Sequence, residues 1–221
     1  MNINKLSTNT NTNFKAIKIA TLKNRVMENN ANIDIYQIRS EDFGFIQKMN
    51  SKINFKKLCT NLTKDMQERW ERVFLYCTSK AMKFGNITYL ALSENKPCGI
   101  LTYFHDREFY LDGICAIPNK EGQKTHLAGK GLFYQLFKDA EEADVRGIKL
   151  DAITDGPFNV IKKYENLGFK NLGYKTSEND TLYAEMSCNK HKIKAQLKEL
   201  PFEIEYEKKF ERANLNELAK F

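Results

Sequence analysis

Two glycines around a lysine, Gly129-Lys130-Gly131, stand just ahead of Leu132, Phe133, Leu136, Phe137, Ala140 and Ala143, apolar residues that recur at helical spacing. The first amides of a helix have no intrahelical partner, and glycine lets an anion approach them closely. The chemistry such a turn suits is the grip of a phosphate or diphosphate. Two further groups could move protons. Tyr164 lies on a short apolar-faced segment, Val160, Ile161, Tyr164, Leu167, stopped by Gly168. Glu108 and Asp112 flank and interrupt the apolar run EFYLDGICAIP. Cys115 in that run reads as a small hydrophobe rather than a nucleophile.

The elements that must position these groups follow from periodicity. IDIYQIR (33–39), ITYLALSE, PCGILTYF and EFYLDGICAIP read as strands, the last three forming an antiparallel meander. IKLDAIT is another strand, and FKNLGYK with TLYAEMSC reads as a terminal hairpin. One or two short helices fit 41–62. Thr63 is a suitable N-cap for a longer helix over 64–83 with Met66, Trp70, Val73, Phe74 and Tyr76 on its apolar face. The apolar-faced helix from Gly129 is expected to run to about Val145, with Asp139 on its polar side and Gly147 closing it. A strand, helix and strand in succession imply parallel pairing at the sheet's centre. Residues 1–30 have the composition of a disordered polar and basic extension, 31–188 that of one α/β domain, and 189–221 that of a charged tail. Phe202, Tyr206 and Phe210 fall four apart in that tail, which predicts a helix.

The net charge of +7 is unevenly spread. Residues 1–30 carry five basic side chains and one acidic, and residues 189–221 carry eight and six. The central 158 residues hold 22 basic and 21 acidic groups, a balance that argues against a nucleic-acid partner. No apolar run approaches the roughly 18 residues of a membrane span. The five cysteines (59, 77, 98, 115, 188) and three histidines (105, 126, 191) are scattered, without C-x-x-C spacing. No metal site is expected, and a reducing, cytoplasmic setting is.

The order LDGICAIP, AGKGLF, IKLDAIT, YENLGF resembles the GNAT superfamily of N-acetyltransferases. The resemblance covers about residues 32–188 in element order and specific residues only within 109–169. It implies an α/β (α+β) fold whose mixed, mostly antiparallel sheet has a splayed parallel pair, 109–117 and 148–154, at its centre and helices on both faces. It implies acetyl-CoA as cosubstrate and no metal. The diphosphate turn would be Ala128, Gly129, Lys130, Gly131, Leu132 and Phe133, with Ala128 and Phe133 departing from the family's R/Q-x-x-G-x-G/A pattern. Backbone groups of Cys115, Ala116 and Ile117 would hold the thioester and pantetheine. The family's asparagine is replaced by Pro157, with Asn159 two residues on. Tyr164 would protonate the departing thiolate, and Asp112, Glu108 or a water would serve as base. The acceptor would be an amine on a small molecule or a protein or peptide, reached over the helices between 41 and 83, in a monomer or homodimer. The departures keep open a non-catalytic acyl-CoA-binding module.

Overall fold

Alternating apolar and polar positions build most of the sheet, and a computed structural model of the chain describes residues 16–25, 32–118, 127–156, 158–178 and 180–221. In chain order these residues form β1 (Ala16–Asn24), β2 (Ile33–Ile38), α1 (Phe43–Lys52), α2 (Phe55–Leu58), α3 (Lys64–Ala81), β3 (Ile87–Ser93), β4 (Lys96–His105) and β5 (Phe109–Ala116). They continue as α4 (Ala128–Glu142), β6 (Gly147–Ile153), α5 (Val160–Asn166), β7 (Lys170–Thr176), β8 (Leu182–Asn189), α6 (Lys190–Glu199), β9 (Phe202–Ala213) and α7 (Leu215–Leu218). The sheet order is β7-β8-β6-β5-β4-β3-β2-β1-β9. Every neighbouring pair is antiparallel except β5 and β6. The mixed sheet with one parallel pair, expected from the strand–helix–strand order, is present.

Two apolar layers cover the sheet. One joins α4, α5 and α6 to Leu101, Leu111, Ile148 and Leu150. The other joins α1, α2 and α3 to Ile100, Cys115 and Ile117. Thr63 caps α3 as its type predicts, its hydroxyl accepting from the Met66 amide at 3.3 Å. Gly168, at φ +86°, turns the chain out of α5 in the left-handed conformation that glycine alone adopts freely.

Three expectations are corrected. Residues 16–24, assigned by composition to a disordered leader, form β1, because AIKIATL still offers buried Ala16, Ile19, Ala20 and Leu22 to the core. The rest of that extension, 1–15 and 26–31, lies outside the described residues. The tail is only partly helical: α6 ends at Glu199, and 202–213 pairs with β1 as an edge strand. A spacing of four is also a multiple of two, and in FEIEYE each apolar residue alternates with a glutamate, so the strand period wins. Gly147 opens β6 rather than closing α4; the turn after the helix places Asp144 at φ +54° instead.

Asp139 is also not on a solvated face. Its carboxylate lies under α4, accepting from the hydroxyls of Tyr89 at 2.6 Å and Tyr103 at 2.8 Å, and from Gln135 Nε2 at 2.8 Å. Burial raises its pKa above the ordinary 3.8, against the pull of those three donors. The folded protein therefore retains a proton that the unfolded chain has lost, and stability falls as pH rises from about 4 through the native value, then levels. Asp139→Asn is expected to remove that slope in denaturation curves with a change of within about 1 kcal/mol at neutral pH. Rotation of the Gln135 amide would turn its oxygen, buried without a partner, toward the new amide. Asp139→Leu removes the shared acceptor of three donors, two of which can only bond each other in its place, and is expected to cost about 2–4 kcal/mol.

Candidate active site

The parallel ladder between β5 and β6 is short. It pairs Phe109 with Ile148, Tyr110 with Lys149 and Leu111 with Leu150, and stops there. The register of β5 against β4 slips at the same place, Leu111 facing Tyr103 but Gly113 facing Thr102, so Asp112 is the extra residue of a β-bulge. A bulge bends its strand and increases the local twist. Beyond it β5 and β6 run on without pairing each other, and a gap opens between Asp112–Ala116 and Asp151–Ile153.

Backbone alternation decides which groups line that gap. The Ile117 amide donates to the Cys98 carbonyl on the β4 side at 2.9 Å. Successive residues of a strand point their amides to opposite sides, so Cys115 also faces β4, while Ile114 and Ala116 face the gap. Of the three residues expected to hold a cosubstrate by their backbone, Ala116 is oriented to do so; Ile117 and Cys115 are not. The Cys115 thiol is buried on the α3 side, and burial pushes it up to about 12, so it stays protonated and unreactive.

The same orientation explains Trp70, a residue that spacing marks only as core. Its Nε1 donates to the Ala116 carbonyl at 2.9 Å, and its ring meets Phe158, beyond β6, edge-on at 4.9 Å. One position earlier in α3, Arg69 Nη1 donates to the Asp155 carbonyl at 3.0 Å. The helix thus ties the ends of both strands across a gap that no ladder spans.

The chain enters α4 through Leu127 at φ +74°, a left-handed leucine that no sequence pattern flags. Such strain in a non-glycine residue costs about 1–3 kcal/mol and concentrates at functional sites. A left-handed residue followed by right-handed ones turns successive amides into a concave anion-binding nest. The first described amide bonded within this turn is that of Gly131, which donates to the Leu127 carbonyl at 2.7 Å. Those of Ala128, Gly129 and Lys130 precede it and have no carbonyl within the helix.

The side chains of the expected phosphate turn separate into two groups. A Cβ at Gly129 would meet no described atom within 4 Å, and Lys130 is exposed. A Cβ at Gly131 would lie 3.0 Å from Leu22 Cδ1 and 3.3 Å from Ile33 Cδ1. Gly131 therefore lets α4 pack on β1 and β2 rather than admitting an anion. Ala128, Leu132 and Phe133 are buried, and the amides of Leu132 and Phe133 lie within the helix ladder. Only the first turn, through Lys130, remains for an anion. The loop 119–126 and Pro157 lie outside the described residues.

Tyr164 packs edge-on against Phe133 at 5.8 Å and near Phe169 at 5.9 Å. Its hydroxyl has no hydrogen-bond partner among the described residues. Burial raises its pKa above 10.0, reinforced by the neighbouring Cys77 and Cys115 thiols, so the phenol keeps its proton at neutral pH. Asn159 caps α5, its Oδ1 accepting from the Lys162 amide at 3.1 Å, and lines an open depression with Ile153, Val160 and Tyr174.

The two carboxylates considered as bases are both engaged. Asp112 binds Lys80 Nζ at 2.8 Å and accepts from Asn86 Nδ2 at 3.0 Å and the Tyr76 hydroxyl at 3.3 Å. Glu108 binds Lys149 Nζ at 2.6 Å. Both Asp112 oxygens are taken, and Glu108 precedes the paired stretch that begins at Phe109, at the end away from the gap. Among the described residues no group of three His, Cys, Asp or Glu side chains is placed to hold a metal ion, and no helix is long and apolar enough to cross a membrane.

A mixed sheet whose central parallel strands part at a bulge is followed by a helix with an open N-terminus. The sequence matches no family model and no curated protein. Among solved structures, a spermidine N-acetyltransferase SpeG K23-Q34 chimera from Vibrio cholerae and hSSAT superposes with a TM-score of 0.50 at 14% identity, over 74% of this chain and 98% of that one. The ribosomal-protein-S18-alanine N-acetyltransferase from Escherichia coli gives 0.49 at 14% identity, over 71% and 93%. A nourseothricin acetyltransferase gives 0.42 at 17%, and this chain spans only 66% of its length. The chain has the fold of the GNAT superfamily of acetyltransferases.

Proposed function

We propose that this protein transfers an acetyl group from acetyl-CoA to a primary amine by direct attack in a ternary complex. The reading rests on the end of the β5–β6 ladder at Leu111 and Leu150, which leaves the backbone of Ile114 and Ala116 facing a gap. Acetyl-CoA would supply the activated acyl group. The amides of Ala128, Gly129 and Lys130 would hold its diphosphate, and the exposed Lys130 would add a positive charge. The Ile114 amide, nearer the point where the strands part, would face the thioester oxygen, where a preorganised donor lowers the barrier most. The Ala116 carbonyl is already taken by Trp70, so its amide would hold the pantetheine on the way to the diphosphate. Tyr164 would give its proton to the sulfur as the carbon–sulfur bond breaks.

Spermidine and the alanine of a ribosomal protein, the acceptors named for two of the superposed structures, support an amine acceptor. Five free cysteines, all buried, fit the reducing cytoplasm in which we place the protein, as monomer or homodimer. A second reading, a binding module without turnover, is favoured by one observation: Asp112 and Glu108 are both held by lysines. Calorimetry with acetyl-CoA, followed by mass spectrometry of a primary-amine panel incubated with it, separates the two. Binding with a gain of one acetyl group on an amine is expected. Binding without product selects the module, and absence of binding rejects both.

A further inference from the structure

The face of β5, β6 and β8 on the α3 side of the sheet carries a carboxylate, Asp151, that belongs to none of the lysine pairs around it. Ile148, Leu150 and Ala152 of β6 are buried toward α4, so Lys149, Asp151 and Ile153 point the other way. On this face each neighbouring carboxylate has its own lysine: Glu108 binds Lys149, and Glu185, directly across the ladder from Asp151, binds Lys175. Asp151 is exposed and has no lysine or arginine nitrogen within 4 Å among the described residues. Its contact is the Tyr110 hydroxyl, which donates to Oδ2 at 2.6 Å. Lys175 is close enough to feel its charge but is held by Glu185.

Position adds to charge. Leu150 is the last residue of β6 paired with β5, so Asp151 is the first residue beyond the point where the strands part. It sits at the apex of the gap, on the face opposite the α4 N-terminus. The Tyr110 ring stands beside it, and Tyr76 and Asp112 are near enough to act on the Tyr110 hydroxyl electrostatically.

We propose that Asp151 is the anchor for the acceptor, binding a primary ammonium group beside the Tyr110 hydroxyl at the apex of the β5–β6 gap. The assignment rests on the transferase reading and narrows it to acceptors that arrive as cations. One Asp151 oxygen is held by Tyr110, which fixes the carboxylate, and the other faces outward to receive an N–H donor. The bound ammonium loses its proton to water at this exposed site before the nitrogen attacks.

The test is Asp151→Asn, which keeps the size of the side chain and an oxygen for the Tyr110 hydroxyl, so the strands stay tied. Calorimetry titrates 1,4-diaminobutane and benzylamine, both cationic at pH 7, and aniline, which is neutral, into the protein with and without CoA. The wild type is expected to bind the two cations, and Asp151→Asn to weaken both at least about tenfold, the scale of a lost charge-assisted hydrogen bond. Acetyl-CoA affinity and thermal midpoint should not move. Where an amine is turned over, the loss should appear in KM with kcat nearly unchanged, and aniline should be insensitive. Equal affinity of wild type and Asp151→Asn for the cations, an equal loss with aniline, or no binding of the cations to wild type would overturn the anchor. Failure of acetyl-CoA to bind would instead overturn the transferase reading, and the amine titration on the protein alone would still decide for or against Asp151.

Discussion

Gly129→Glu is expected to give a folded protein that no longer binds acetyl-CoA, whereas Gly131→Glu is expected not to fold. The two glycines stand two residues apart in one sequence motif but face different surroundings. Above Gly129 no described atom lies within 4 Å of the position a Cβ would take, so a side chain there meets no steric cost. A carboxylate in the first turn even complements the helix dipole, and glutamate forms helix better than glycine. The same carboxylate would stand where a diphosphate must approach, and steric and charge repulsion together should reduce affinity more than about 100-fold, near 2.8 kcal/mol. At Gly131 the side chain would be driven between Leu22, Ile33 and Phe202. An overpacked core costs about 1–3 kcal/mol, and an unpaired buried charge several more. Against a typical total of about 5–15 kcal/mol, that sum empties the native state. Circular dichroism melts and calorimetry on both variants check the pair. Undiminished acetyl-CoA affinity in Gly129→Glu would show that the diphosphate does not lie at the head of α4.

How much of this was legible in the sequence depends on the range of the interactions. The meander, α3 with its Thr63 cap, the left-handed Gly168 and the terminal hairpin are local matters of period and turn chemistry, and each appears where residue types place it. The splay of β5 and β6 came with the family resemblance, and the bulge at Asp112 that accompanies it leaves no mark in the pattern, because one extra residue among apolar neighbours still reads as strand. Roles that depend on partners far along the chain were hidden. Gly131 looked like a phosphate glycine because nothing nearby in sequence reveals Leu22 and Ile33 above it. Asp112 looked like a free strand carboxylate, and its lysine lies 32 residues away on α3. Trp70 and Asp139 were each on the expected helix, but one reaches a carbonyl of β5 and the other two tyrosines of β3 and β4. Asp151 was visible in IKLDAIT as an acid between buried residues, a signal that became meaningful only once β6 was seen to part from β5 beside it.

Tyr164→Phe is expected to lower kcat by about 100-fold or more while leaving the KM for acetyl-CoA and the thermal stability close to wild type. Removing the hydroxyl breaks no hydrogen bond to a described residue, and the ring contacts with Phe133 and Phe169 persist, so stability should shift by less than about 1 kcal/mol. The loss falls on kcat because the proton is needed only as the thiolate departs, and a positioned acid contributes about 100- to 10,000-fold. Burial fixes the pH dependence. It penalises the phenolate, so the phenol remains protonated past the ordinary 10.0, and wild-type activity should show no decline from this group below that pH. Thiolate release without an acid should instead make Tyr164→Phe the slower enzyme at every pH in that range. The check is kcat against pH for both proteins at saturating acetyl-CoA and amine. A phenylalanine variant that turns over at the wild-type rate would move the proton donor to water and leave Tyr164 as packing for the last turn of α5.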